Sequence, residues 1–209
     1  MIAIIDYGAG NLRSIARAIE NAGETTVITS DPEQIAAADG VVFPGVGAAG
    51  HAMRKLDEAG MIGPINDVVS RGTPFLGVCL GMQLLFEEQE ENDTRGLGLL
   101  KGRVRTIRSA EKVPHMGWSQ SVIQHSLPGL EPGDAHYFYF VHSYVVEPDD
   151  PADIAAVTTY GETFPSIVAR GNIWGTQFHP EKSGEHGLAF VKSWVDAVKA
   201  ARTAEAAPR

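Results

Sequence analysis

Three side chains able to transfer an acyl group stand in two short segments of this chain. The first segment is Pro74-Phe75-Leu76-Gly77-Val78-Cys79-Leu80-Gly81-Met82-Gln83. An apolar, strand-like run stops at Cys79, the only cysteine, and a helix-like run from Met82 to Phe86 follows at once. Glycines two residues before and two after the sulfur permit a sharp strand-to-helix turn that lifts one side chain above a sheet edge, the pattern of a nucleophile elbow. The positive end of a helix favours a thiolate there, and the Leu80 N–H at the helix start is placed to receive a developing oxyanion. A lone cysteine is more often a small buried hydrophobe; the glycine-flanked junction is what argues for chemistry. The second segment is Gln177-Phe178-His179-Pro180-Glu181, at the end of the apolar run that starts at Ile173. His179 therefore emerges at a strand end, where sites of α/β sheets collect. Residues two apart in an extended chain face the same way, so Glu181 is expected to hold one ring nitrogen while the other meets Cys79. Thiol, imidazole and carboxylate are the parts of an acyl-transfer site.

Other segments sharpen or exclude alternatives. Pro44-Gly45-Val46-Gly47 follows a strand, and its glycines allow peptide reorientation, so an N–H of Val46 or Gly47 is expected as the second oxyanion donor. Asp6-Tyr7-Gly8-Ala9-Gly10-Asn11 has Arg13 where a dinucleotide fingerprint needs its third glycine, which argues against that cofactor. No Gly-Lys-Ser/Thr loop, His-Glu-x-x-His run or paired cysteines occur, so no metal or organic cofactor is expected. His51, His115, His125, His136, His142 and His186 are scattered and read as structural or solvated. A net charge of -9 argues against general nucleic-acid binding. Lys101, Arg103, Arg105 and Arg108 form the one basic cluster, which reads as a solvated strand edge, with contact to an acidic partner as the alternative. One cysteine forms no internal disulfide, so a reducing cytoplasm is the default. No apolar stretch approaches the roughly 20 residues that span a bilayer, and the N-terminus reads as a buried strand, not a signal peptide.

The elements that must position these residues divide the chain in two. In the first half, short apolar runs (Ile2–Ile5, Thr25–Thr29, Val41–Phe43, Phe75–Val78) alternate with helical spacing over 11–21, 48–58 and 62–70. Asp31 is the expected N-cap of a further helix with Pro32 at its first position. This alternation predicts a mostly parallel central sheet with helices on both faces. Residues 99–146 instead hold several β-like runs separated by prolines and glycines, which predicts additional antiparallel strands. A helix from about Gly187 to Ala200 closes the fold. One domain over residues 1–201 and a frayed tail over 202–209 are expected.

The elbow Gly77–Gln83 and the distal His179-Pro180-Glu181 together resemble the class I, or triad, glutamine amidotransferases. Asp6–Leu12, Pro44–Gly47, Pro114-His115-Met116-Gly117-Trp118 and Tyr139-Phe140-Val141-His142-Ser143-Tyr144 extend the resemblance to the glutaminase subunits of imidazole glycerol phosphate synthases, over almost the whole chain. The resemblance implies a heterodimer of histidine biosynthesis. This subunit would hydrolyse glutamine to glutamate and ammonia, and a separate (β/α)8-barrel cyclase subunit would use the ammonia. It further implies that Gly45, Gln83, Ser143 and Tyr144 help hold glutamine, and that Asn11, Trp118 and Tyr139 face the barrel. Ser119 stands where the family's pattern has an asparagine after the tryptophan. Two rivals differ in partner or in class: the glutaminase of an anthranilate, aminodeoxychorismate or GMP synthase, and a non-catalytic scaffold that binds through the same surface.

Overall fold

The computed structural model describes residues 1–8, 10–108 and 112–206. Ala9 of the first glycine-rich loop and residues 207–209 of the tail lie outside them. The first half is built of β1 (Ile2–Ile5), α1 (Leu12–Asn21), β2 (Thr26–Thr29), α2 (Pro32–Ala36), β3 (Gly40–Gly45), α3 (Ala49–Glu58), α4 (Ile62–Ser70), β4 (Phe75–Cys79) and the single turn α5 (Leu80–Gln83). Asp31 caps α2 as expected, accepting from the Glu33 N–H at 2.9 Å, with Pro32 at the first position. The second half holds β5 (Phe86–Gln89), β6 (Thr94–Arg95), β7 (Leu100–Thr106), β8 (His115–Ile123), β9 (Ala135–His142), β10 (Tyr144–Pro148), β11 (Ile154–Tyr160), β12 (Glu162–Arg170), β13 (Ile173–Thr176) and α6 (Gly184–Ala206).

Nine strands form one sheet in the order β2-β1-β3-β4-β13-β12-β11-β8-β9. Its first five strands run parallel and the remaining pairings are antiparallel. The two expected regimes thus share one sheet, and β13 returns from the second half to pair beside β4. A smaller sheet, β10-β7-β5-β6, packs against it.

Strands buried on both faces explain the apolar runs read from the sequence. On one face, Ile15 and Ile19 of α1 meet Phe190, Val191, Trp194, Val195 and Val198 of α6. On the other, Ile35, Leu56, Ile65 and Val68 come from α2, α3 and α4. Fully burying each large apolar side chain contributes about 1.5–3 kcal/mol, which suffices to hold α6 across the sheet. No described helix is long and apolar enough to cross a membrane.

Three expectations need correction. The apolar run Met82–Phe86 is not a helix: one helical turn ends at Gln83, and Phe86 opens β5. The closing helix spans Gly184–Ala206, so part of the expected tail is helical. The basic cluster is not an edge, because β7 lies between β10 and β5. Arg105 is 8% exposed, and its guanidinium pairs with Glu147 and, at 2.8 Å, with Glu162. These arginines neutralise acids within the fold.

Candidate active site

Strand order alone brings the distant segments together. β4 sits between β3 and β13, so Cys79 at its C-terminal end has the β3 loop on one side and the β13 extension on the other. Register places Gly45 directly opposite Cys79. Cys79 has φ 55° and ψ -109°, a strained left-handed conformation for a residue with a Cβ. The turn is as tight as its glycines suggest. A Cβ on Gly81 would stand 1.7 Å from the Phe43 carbonyl oxygen, and one on Gly77 would stand 2.7 Å from the Gly81 oxygen. The strained elbow therefore survives only because backbone packs on backbone there.

His179 follows β13 and is held from both sides of its peptide. Its N–H donates to the Tyr139 oxygen at 2.9 Å, and Ser183 Oγ donates to its carbonyl at 2.6 Å. Ser183 Oγ also accepts from the Tyr139 N–H at 2.9 Å. The ring Nδ1 lies 2.9 Å from Glu181 Oε1, and both side chains are almost fully buried. The expected pairing is present, but its local reason differs. Residues Pro180–Lys182 form a 3-10 turn, and this turn rather than extended chain swings the carboxylate back under the ring. Burial opposes a charge on His179, yet the nearby Cys79 sulfur and the hydrogen-bonded Glu181 carboxylate outweigh it and push its pKa up to about 9. That shift favours the imidazolium at neutral pH, in a ring that borders the same cleft as the Cys79 sulfur and bonds the Glu181 carboxylate.

The two segments border one cleft of about 360 Å³, the scale of a small-molecule site. Cys79, Leu80, Val46, Gly47, Gln83 and His179 line it, as do Ser143 and Tyr144. Gly45 does not line this cleft, and a Cβ there would stand 2.8 Å from the Tyr7 hydroxyl and 2.9 Å from Leu80 Cβ. Gly47 has φ +93°, which leaves the loop free to turn its peptides. A smaller cavity on the other side of the loop is bordered by Asn11, Gly45, Val46, His179 and Glu181. Trp118 and Tyr139 meet edge to face at 6.0 Å on the outer face of the β8-β9 hairpin, and Asn11 is exposed.

Sequence reasoning missed four contributors. Glu91 borders the cleft, and its carboxylate accepts from the first N–H of α3, on Ala49, at 2.7 Å. Lys182 borders both cavities. Tyr7 buries a hydroxyl that lacks a well-formed partner; burial pushes its pKa up to about 12, and the Val46 N–H facing it opposes that rise. Gln177, fully buried, approaches the Cys79 sulfur. Glu91 and Lys182 carry no spacing signal, because tertiary packing alone brings them to the cleft.

His115 and His142, the latter at the border of the cleft, form a hydrogen-bonded chain whose protons are ordered by one carbonyl. His142 Nδ1 must donate to the Tyr144 oxygen at 2.8 Å, leaving Nε2 to accept from His115 Nδ1 at 2.9 Å. His115 Nε2 then accepts from Ser119 Oγ at 2.8 Å. Burial pushes the two rings down to about 4 and about 3, so both are neutral. Among the described residues, no group of three or more His, Cys, Asp or Glu is placed to hold a metal ion.

Known proteins resemble this chain in sequence and in fold. The family described as "Glutamine amidotransferase class-I" matches residues 3–197. A protein of Methanothermobacter thermautotrophicus named imidazole glycerol phosphate synthase subunit HisH is 49% identical, over 96% of this chain and 100% of its own length. One of the same name from a Geobacillus species is 45% identical, over 95% of this chain and 98% of its own. Among solved structures, a glutamine amidotransferase superposes with a TM-score of 0.77 at 16% identity, covering 95% of this chain and 100% of that one. A chain of PurLQS from Thermotoga maritima gives 0.73 at 19% identity, covering 97% of this chain and 98% of that one. Those two likenesses establish the fold.

Proposed function

This chain belongs to the class I glutamine amidotransferase family, and from that premise we propose that it is the glutaminase subunit of an imidazole glycerol phosphate synthase. It hydrolyses glutamine to glutamate and ammonia and supplies the ammonia to a separate (β/α)8-barrel cyclase subunit in a heterodimer. The observation that carries the chemistry is that Cys79 and His179 line one cleft, with Glu181 against the far nitrogen of the His179 ring at 2.9 Å.

The Cys79 thiolate attacks the side-chain amide carbon of glutamine. The N–H of Leu80 and a second from Val46 or Gly47 take the oxyanion, and losing one such donor typically costs about 10²–10³ in rate. The C–N bond breaks as the His179 imidazolium protonates the leaving ammonia. His179, now neutral, takes a proton from water, and the hydroxide cleaves the γ-glutamyl thioester. Glu181 keeps the ring oriented and stabilises its charged form each time it arises. Glu91 at the cleft mouth offers a carboxylate to the substrate's α-ammonium group, while Gln83, Ser143 and Tyr144 border the same bound glutamine.

The partner docks on the β8-β9 hairpin. Met116, Trp118 and Tyr137 there are 62%, 55% and 51% exposed, an apolar face that water alone does not explain. Tyr139 shares that face, and its peptide holds the peptide of His179. Val141, paired with Met116, borders the cleft. A partner pressed on this face, with Asn11 at its rim, would touch the mounting of the base. That favours this reading over a scaffold without chemistry. A chain with a single cysteine suits the reducing cytoplasm.

The test is to mix the chain with barrel cyclase, anthranilate, aminodeoxychorismate and GMP synthase subunits and to measure glutamine-dependent amination. Amination with the cyclase alone is expected. Amination with another synthase, or with none, overturns the assignment.

A further inference from the structure

Two groups outside the triad face the Cys79 sulfur: the Val141 carbonyl oxygen at 3.8 Å, which only a thiol can donate to, and the amide of Gln177, which acts in the opposite sense. Gln177 Nε2 lies 3.8 Å from Sγ, and the Gln177 side chain is 0% exposed. Which end of that amide faces the sulfur follows from its surroundings. The Tyr144 carbonyl can only accept, so the group on Gln83 that meets it at 3.1 Å is the amide nitrogen. The same nitrogen stands 3.1 Å from Gln177, and its remaining N–H needs an acceptor, so Gln177 turns its oxygen to Gln83. Its own nitrogen is left facing Cys79. The Tyr144 carbonyl is pinned in turn, because His142 Nδ1 donates to it at 2.8 Å. A thiol donates weakly and a thiolate only accepts, so an N–H aimed at sulfur stabilises the charged form.

We propose that Gln177 is a further active-site residue, a fixed N–H donor that favours the Cys79 thiolate, and that Gln83 acts behind it as a positioning residue. This rests on Cys79 being the nucleophile, as proposed above. It assigns Gln83 a task distinct from holding substrate: both of its N–H groups are committed inside the protein, one to Tyr144 and one to Gln177.

The test is the rate of Cys79 alkylation by iodoacetamide against pH, in the full-length chain and its variants. Cys79 is the only cysteine, so incorporated label reports on it alone. Gln177→Met removes the donor at similar volume, and Gln83→Leu leaves Gln177 without its orienting donor. Thermal unfolding confirms that each variant is folded, and the second serves if the first is not. The midpoint of the alkylation profile is expected to rise by about one pH unit in each, which is about a tenfold loss of thiolate near the wild-type midpoint. A profile that overlays wild type in either folded variant overturns the proposal. Alkylation needs no glutamine, so this outcome is independent of whether wild type hydrolyses glutamine.

Discussion

Replacing Glu181 by glutamine isolates the electrostatic part of the triad. The carboxylate sits 2.9 Å from Nδ1, with side-chain exposures of 6% for His179 and 4% for Glu181, so solvent screens their interaction little. Glutamine keeps an oxygen able to accept from Nδ1 but removes the charge. A hydrogen bond to a charged partner contributes about 1.5–3 kcal/mol, against about 1 kcal/mol for a neutral one. The difference is about 0.5–2 kcal/mol, which at 1.36 kcal/mol per unit centres on about one pKa unit. His179, raised to about 9 in the native protein, is then expected near 8. The imidazolium is the proton donor to ammonia, so activity of the complex should fall as pH rises through that value. Both the alkaline limb of glutaminase activity and the NMR titration of the His179 ring should therefore move about one unit toward neutral in Glu181→Gln. An alkaline limb that stays near 9 would refute the role given to the carboxylate.

Gly81→Ala places a methyl group into the Phe43 carbonyl, so the elbow must open. Overpacking of this kind costs about 1–3 kcal/mol, visible in denaturant unfolding, and alkylation of Cys79 should change with it. The neutral rings of His115 and His142 give stability that is complete above the unfolded histidine value and is lost as pH falls toward 3. For His142 alone the loss should approach about 1.4 kcal/mol per pH unit between pH 6 and 4, measured by urea unfolding, and His142→Asn should flatten that slope. Trp118→Ala, on an exposed side chain, should leave unfolding unchanged but weaken cyclase binding by tenfold or more in calorimetry, as loss of an aromatic anchor does.

Much of the fold was legible because its signals are local. The alternation of apolar runs and helical spacing gave β1 to β4 and their helices, and Asp31-Pro32 marked the start of α2. The helix expected over Met82–Phe86 failed for a definite reason: a short apolar run fits a buried helix or a buried strand equally well, and the tertiary pairing of Phe86 with Leu100 decided it. The basic residues of β7 looked like an edge because their acidic partners, Glu147 and Glu162, lie far along the chain. At the site, glycines announced the elbow, where only glycine fits so close to backbone, and the loop, where Gly47 adopts a positive φ. The pairing of His179 with Glu181 was expected, but the 3-10 turn that makes it was not, as Pro180 suits either geometry. Gln177 and Glu91 left no trace in spacing, because what defines each is a neighbour from another strand or loop.

The most direct test of the catalytic account is to quench the assembled complex in acid during turnover of glutamine and to locate any acyl group by mass spectrometry. A γ-glutamyl thioester on Cys79 that forms and decays at the rate of ammonia release, and is missing in Cys79→Ser, is the expected result. Steady ammonia production with no acyl group on Cys79, or undiminished activity in Cys79→Ser, would contradict it.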